Sequence, residues 1–193
     1  MSLSLDTIKA CKQKDQRAQR EVYRYLLPYL KPVANRYLRN NQFIKDVLQE
    51  SFVKMFLKFE TYNLEQSALI TWATKIVIHT SINYNQRIIP IKNHLDISDL
   101  NIAVYEGKDD VFIQEISKEQ LKHVLDHMPN SFSEVFNLHV IDGYDHEEIS
   151  EILGISTVLS RKKLSRARAW IKSSEVLRKI VVIVCLFQII GTI

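Results

Sequence analysis

From Asp6 to Arg87, hydrophobic positions recur almost wholly at helical spacing. Tyr23, Leu26, Leu27 and Leu30 make one stripe, continued by Val33, Tyr37 and Leu38. Pro28 and Pro32 interrupt it and predict a kink or a helix start. A second stripe joins Ile44, Val47, Leu48, Phe52, Met55 and Phe56. The period breaks over Glu60–Gln66, which reads as a loop. A last helix over Ser67–Arg87 carries Leu69, Trp72, Ala73, Ile76 and Thr80. Asp6 and Asp15 stand where N-caps belong. These segments predict a small helical domain over residues 1–90.

Residues 88–112 lose the period, and Pro90, Gly107 and clustered Asp and Asn predict a linker at 91–112. Helical spacing resumes at Ile113, with Ile116, Leu121, Val124 and Leu125, and stops at Met128-Pro129. Phe132, Val135, Phe136, Leu138 and Ile141 follow, and Gly143 supplies a stop. Asp145 with Glu148 three residues on forms a capping-box pattern. Ile149, Ile152 and Leu153 face inward, and Gly154-Ile155-Ser156 makes a tight turn. In the next helix Leu164, Ala167 and Ile171 form the buried line, with Arg161, Lys162, Lys163, Arg166 and Arg168 largely off it. A second helical domain is therefore expected at 113–175. Only four Gly and four Pro occur in 193 residues, which agrees with an all-α fold of two small domains.

Charge sharpens this picture. Residues 1–90 hold 14 Lys and Arg against 7 Asp and Glu, and 156–193 hold 8 against 1, whereas 91–155 hold 4 against 14. Two basic blocks around an acidic stretch suit two contacts with a polyanion; solvated helix faces are the plainer explanation. The tail, 176–193, contains Ile180–Ile190, in which ten of eleven residues are apolar. It is too short to span a bilayer as a helix, so membrane contact through it is disfavoured. Cys11 and Cys185 lack metal-ligand spacing, and the N-terminus lacks the pattern of a signal peptide. A reducing cytoplasm is the expected compartment. His123 and His127 lie four apart without a third ligand nearby, and phosphate-binding Gly loops and nucleophile elbows are missing. No metal, cofactor or catalytic activity is expected.

A short helix, a Gly turn and a longer basic helix make the DNA-binding helix-turn-helix pattern, whose second helix enters the major groove. An ordinary helical hairpin with a basic outer face is the plain alternative. The run Met128-Pro129, Gly143 to Ile149, Gly154 to Ser156 and Leu164 to Arg168 resembles region 4 of bacterial sigma-70 family factors, most of all the small extracytoplasmic-function (ECF) group. Asp46 to Lys54 resembles the family's region 2 helix that contacts the clamp helices of RNA polymerase. Leu69 to Trp72 with Ile76 resembles the helix that holds the −10 promoter element, and Phe59–Ser67 the segment that captures a flipped base.

The resemblance implies a factor that binds core RNA polymerase, through its clamp helices and flap, and directs promoter recognition, melting and initiation. Promoter DNA and an anti-sigma factor are the further partners it implies. It assigns core binding to Asp46, Gln49, Glu50 and Lys54. It assigns the −10 element to Tyr62, Asn63, Trp72, Lys75, His79, Asn83 and Arg87. For the −35 element it points to Ser156, Thr157, Ser160, Arg161, Lys162, Lys163, Ser165, Arg166 and Arg168. Trp72 also fits an ordinary core aromatic. At the start of the recognition helix, Thr157-Val158-Leu159 departs from the family's small polar residues, and apolar side chains there suit a thymine methyl or a partner protein. The competing functional class is a helix-turn-helix regulator that acts without polymerase. A membrane-tethered or protein-interaction module is a third.

Overall fold

The computed structural model describes residues 3–38, 41–88 and 127–173. The linker, the helix expected from Ile113, His123, Cys185 and the apolar tail lie outside the described residues. The chain divides into two compact units, 1–93 and 94–193. Both are helical, and the described residues contain no strand.

The first unit holds α1 (Leu5–Lys12), α2 (Gln16–Tyr37), α3 (Ile44–Lys58) and α4 (Leu69–Ile88). Asp15 caps α2 as expected, its Oδ1 accepting from the Ala18 amide at 2.8 Å. Asp6 does not cap α1. The helix starts earlier, on an extended Ser4 whose Oγ accepts from the Thr7 amide at 3.0 Å, and Asp6 falls in the first turn.

Neither proline starts a helix. Helix α2 runs unbroken for 22 residues through Pro28 and Pro32. Each proline removes one backbone donor, orphaning the carbonyls of Arg24 and Pro28. Those residues are exposed, so water can serve both carbonyls. On the opposite side Val22, Leu26, Leu30, Ala34 and Tyr37 are buried and hold the helix to the core. Helices α2 and α3 both pack on α4, and α1 packs on α2. From α4, Leu69, Ala73, Val77, Ile78 and Ile82 enter the core. Buried Asn85 donates through Nδ2 to the Tyr37 carbonyl at 2.8 Å, tying α4 to the end of α2.

The second unit holds α5 (Asn130–Phe136), which continues as a π-helical stretch over Asn137–Ile141, then α6 (His146–Leu153) and α7 (Thr157–Ser173). Gly143, at φ +77°, turns the chain so that the Tyr144 amide closes on the Leu138 carbonyl at 2.9 Å. Asp145 and Glu148 form the expected capping box, at 2.8 and 3.0 Å. Gly154 ends α6 in the left-handed region that favours glycine, at φ +65°. Ser156 Oγ then accepts from the Leu159 amide at 3.1 Å and opens α7. Helix α7 packs on α5 and α6, with Leu164, Ala167 and Ile171 buried.

Two histidines brace this turn. His139 and His146 stack with ring centroids 4.6 Å apart. His139 Nδ1 lies 2.9 Å from the Tyr144 carbonyl oxygen, and His146 Nδ1 2.8 Å from Ser160 Oγ. Burial pushes the His146 pKa below its ordinary value; His139, Arg161 and Arg168 add to this and Glu147 opposes it.

Replacing Asn85 by Ala should destabilise the first unit by about 1–3 kcal/mol, because a buried hydrogen bond is lost. Denaturant unfolding in a Trp170→Phe background, where Trp72 alone reports, measures this. The depressed His146 pKa means that the unfolded chain binds its proton more tightly. Its contribution to stability is complete above the unfolded value near 6.5 and is lost as pH falls through the folded value. The unfolding midpoint of the second unit, followed by Trp170 fluorescence in a Trp72→Phe background, should therefore drop on acidification below about pH 6.5. His146→Gln should flatten that slope, and an unchanged slope would assign the effect to other groups.

Candidate nucleic-acid interface

The outward face of α7 is set by what its other side buries. Ser160, Lys163, Leu164, Ala167 and Ile171 are all buried, at spacings of three and four. Two residues expected on the DNA side thus belong to the packed side. Ser160 is spent on His146, and Lys163 is 5% exposed. Burial lowers the Lys163 pKa, while Glu134 of α5 works the other way. The spacing that joined Leu164, Ala167 and Ile171 extends one turn back to both residues, and that was the signal in the sequence.

What remains outward is compact. Arg161, Lys162 and Val158 are exposed, and Thr157 is half-buried. Leu159 is half-buried too, so Val158, at 57% exposure, is the apolar side chain that the turn presents. Arg161 Nη2 stands 3.9 Å from Glu147 Oε1, with both side chains largely in solvent, a geometry that restrains the arginine little. Ser156 is exposed but its Oγ caps the helix. Ser165, Arg166 and Arg168 are half-buried on the later turns.

In the first unit, Tyr62 was expected to offer its ring to an unpaired base. Instead it is 1% exposed, since its ring packs 5.2 Å from Trp72 and 5.8 Å from Phe59. Its hydroxyl donates to the Ser67 carbonyl at 3.1 Å, and burial raises its pKa. Tyr62 is a brace for the loop and for Trp72, which is itself half-buried. Asn63 stays exposed, its Oδ1 accepting from the Glu65 amide at 3.0 Å to hold the turn.

Lys75, His79, Asn83 and Arg87 fall four apart along α4 and form one exposed line. Lysines of α3 join it. Burial lowers the His79 pKa, and Lys75, Lys54 and Lys58 add to the shift. Glu50 anchors the edge between the two helices. It lies 2.7 Å from Lys54 Nζ and accepts from Arg87 Nη2 at 3.0 and 3.1 Å, and its carboxyl is held below the usual range by its bond to Lys54 and then by Arg87, against burial. Lys54 also donates to Thr80 Oγ1 at 3.3 Å. Glu50, Lys54 and Arg87, expected to meet two different partners, are therefore one ion-pair network. Asp46 and Gln49 remain exposed on α3.

Beside Gln49 the helices α2 and α3 leave a groove of about 1140 Å³. Tyr23, Leu27, Pro28, Pro32, Leu48 and Phe52 are among the residues lining it. The α2 side of this groove was not anticipated. Its signal is the pair of prolines, which place apolar rings on a continuous helix. Among the described residues no cluster of His, Cys, Asp and Glu is fit to hold a metal ion. Likewise none of the described helices is long and apolar enough to cross a membrane.

Residues 22–87 match the family model for sigma-70 region 2, and residues 118–171 match that for sigma-70 region 4. Together the two regions cover more than half of the chain. The chain is 26% identical over 180 residues to the ECF RNA polymerase sigma-E factor of Haemophilus influenzae, spanning 86% of this chain and 94% of the relative. It is 24% identical over 156 residues to the ECF RNA polymerase sigma factor SigM of Bacillus subtilis, spanning 79% and 87%. Among solved structures, the sigma factor RpoE in complex with the anti-sigma factor NepR from Bartonella quintana matches with a TM-score of 0.48 and 17% identity, over 82% of this chain and 96% of that one. With both regions of one family present in order, the chain belongs to the sigma-70 family, in its ECF group, and is a sigma factor that directs RNA polymerase in transcription initiation.

Proposed function

We propose that the two units divide promoter recognition between them, with residues 1–90 acting on the −10 element, 113–175 on the −35 element and 91–112 linking the two. The observation that carries this is the face of α7: Val158, Arg161 and Lys162 stand outward on a helix that is capped, braced and buried on its other side. Thr157 at its start and Ser165, Arg166 and Arg168 farther along extend the contact. Cationic side chains supply affinity through phosphates, while the first turns approach base edges.

In the first unit Trp72 and Asn63 meet unpaired bases, and Lys75, His79 and Asn83 follow the strand along α4. Tyr62 supports Trp72 from behind. Core polymerase docks on α3 through Asp46 and Gln49, with its clamp helices in the groove beside them, a helix-in-groove mode that needs an apolar cleft. Glu50, Lys54 and Arg87 hold the edge between the two contacts. The chain makes and breaks no bond; it works by binding and by holding separated strands. It acts in the cytoplasm, and an anti-sigma factor that covers these faces is its expected regulator.

Reconstitution with core polymerase tests the assignment. The chain should co-migrate with core and support run-off transcription, and failure to co-migrate would overturn it. Val53→Glu changes an exposed residue lining the groove, so it should leave the fold intact and weaken core binding by about tenfold or more. Arg161→Ala should weaken promoter binding by the holoenzyme and lower the slope of log K against log salt by about 1. An unchanged slope would remove Arg161 from the phosphate contacts.

A further inference from the structure

We infer that Val158 reads the C5-methyl group of a thymine, and so sets one position of the sequence that α7 recognises; this rests on α7 being the −35 reader. The outward residues of the first turns are few. Ser156 is committed to the cap, Leu159 is half-buried, and Ser160, Lys163 and Leu164 are buried. This leaves Thr157, Val158, Arg161 and Lys162 to approach base edges.

Val158 stands at the middle of this set. Arg161 and Lys162 follow it by three and four residues, one turn along the same face. A polyanion held by those two cations is brought onto the valine. Val158 cannot donate or accept a hydrogen bond, so it cannot distinguish the N and O atoms that mark the bases. In the major groove the apolar mark is the thymine methyl. Valine also suits the task sterically: its branched side chain keeps one strongly preferred rotamer in a helix, so its two methyls are held in a fixed place. At 57% exposure it stands largely in solvent.

The test uses the holoenzyme formed from the full chain and core polymerase. Duplexes with a randomised upstream element are enriched by binding, and each thymine of the enriched element is then replaced singly by deoxyuridine, which lacks only the methyl. At one position the natural chain should lose about three- to five-fold in affinity, the worth of one buried methyl. Val158→Ala, at an exposed site where Ala is the better helix former, should bind the thymine and deoxyuridine duplexes equally. Val158→Thr, which keeps one methyl, should retain part of the preference.

Indifference of the natural chain to deoxyuridine at every position would overturn the inference. So would a methyl preference that survives Val158→Ala. Failure of Val158→Ala to form the holoenzyme would also overturn it and assign the side chain to a contact with core polymerase instead. If no upstream sequence is enriched at all, the −35 role of α7 falls and this inference with it. Enrichment without any methyl dependence removes only the role of Val158.

Discussion

The rotational phase of α7 about its own axis decides what the second unit can touch. That phase is fixed by burial. Leu164, Ala167 and Ile171 anchor the helix on α5 and α6, and Ser160 adds a polar bond that holds only when its Oγ faces His146. Val158 lies nearly opposite Ser160 and Lys163 around the helix, so the phase that buries those two is the one that turns Val158 fully outward. Hydrophobic burial resists this over several turns, but it is non-directional. The Ser160–His146 bond is directional and acts in the first turns, beside the residues that meet DNA. Stacking on His139 and the bond from His139 Nδ1 to the Tyr144 carbonyl fix His146 in turn. The chain of dependence runs from the Gly143 turn through two imidazoles to the outward face of α7.

In the first unit the equivalent constraint is electrostatic. Glu50 sits among Lys54, Arg87 and, farther off, the cations that line α4. Without it, Lys54 and Arg87 would face each other as like charges where α3 meets α4. With it, two of the cations are neutralised and their side chains held. Lys75 and His79 lie exposed along α4, with exposed Asn63 and half-buried Trp72 near the loop. The ion pairs are partly exposed, so they contribute to position more than to stability. The same economy governs Tyr62, whose buried ring leaves Trp72 as the half-exposed aromatic beside the loop.

Most of the helices and caps were legible because they depend on local patterns. The Asp145–Glu148 box, the Gly154 turn and the Ser156 cap follow from residue types at fixed spacing, and the structure contains all three. The prolines of α2 start no helix because the local rule is sound but tertiary packing outweighs it: six buried side chains hold the helix while two orphaned carbonyls belong to exposed residues. Ser160 and Lys163 misled for another reason. Polar residue types suggested the surface, but helical spacing placed them on the buried side, and spacing decides. Tyr62 could not have been placed from sequence, since its burial depends on Phe59 and Trp72 arriving from different elements. The apolar groove was hidden likewise, because it exists only once α2 and α3 lie side by side.

The small size of the α7 face has a consequence for specificity. Thr157, Val158, Arg161 and Lys162 are too few to read more than a few base pairs, and each correct contact contributes only about 1–3 kcal/mol of discrimination. Such a face alone would find too many sites in a genome. Covalent connection changes this, because binding by one unit turns the second contact into an intramolecular event at high effective concentration. Selectivity then comes from the product of two modest preferences. That logic favours a recognition helix that is rigid and sparing in its contacts, with one apolar mark between two cations. It also explains why the chain commits so many polar groups of the second unit to bracing: with few readers, their position has to be held closely.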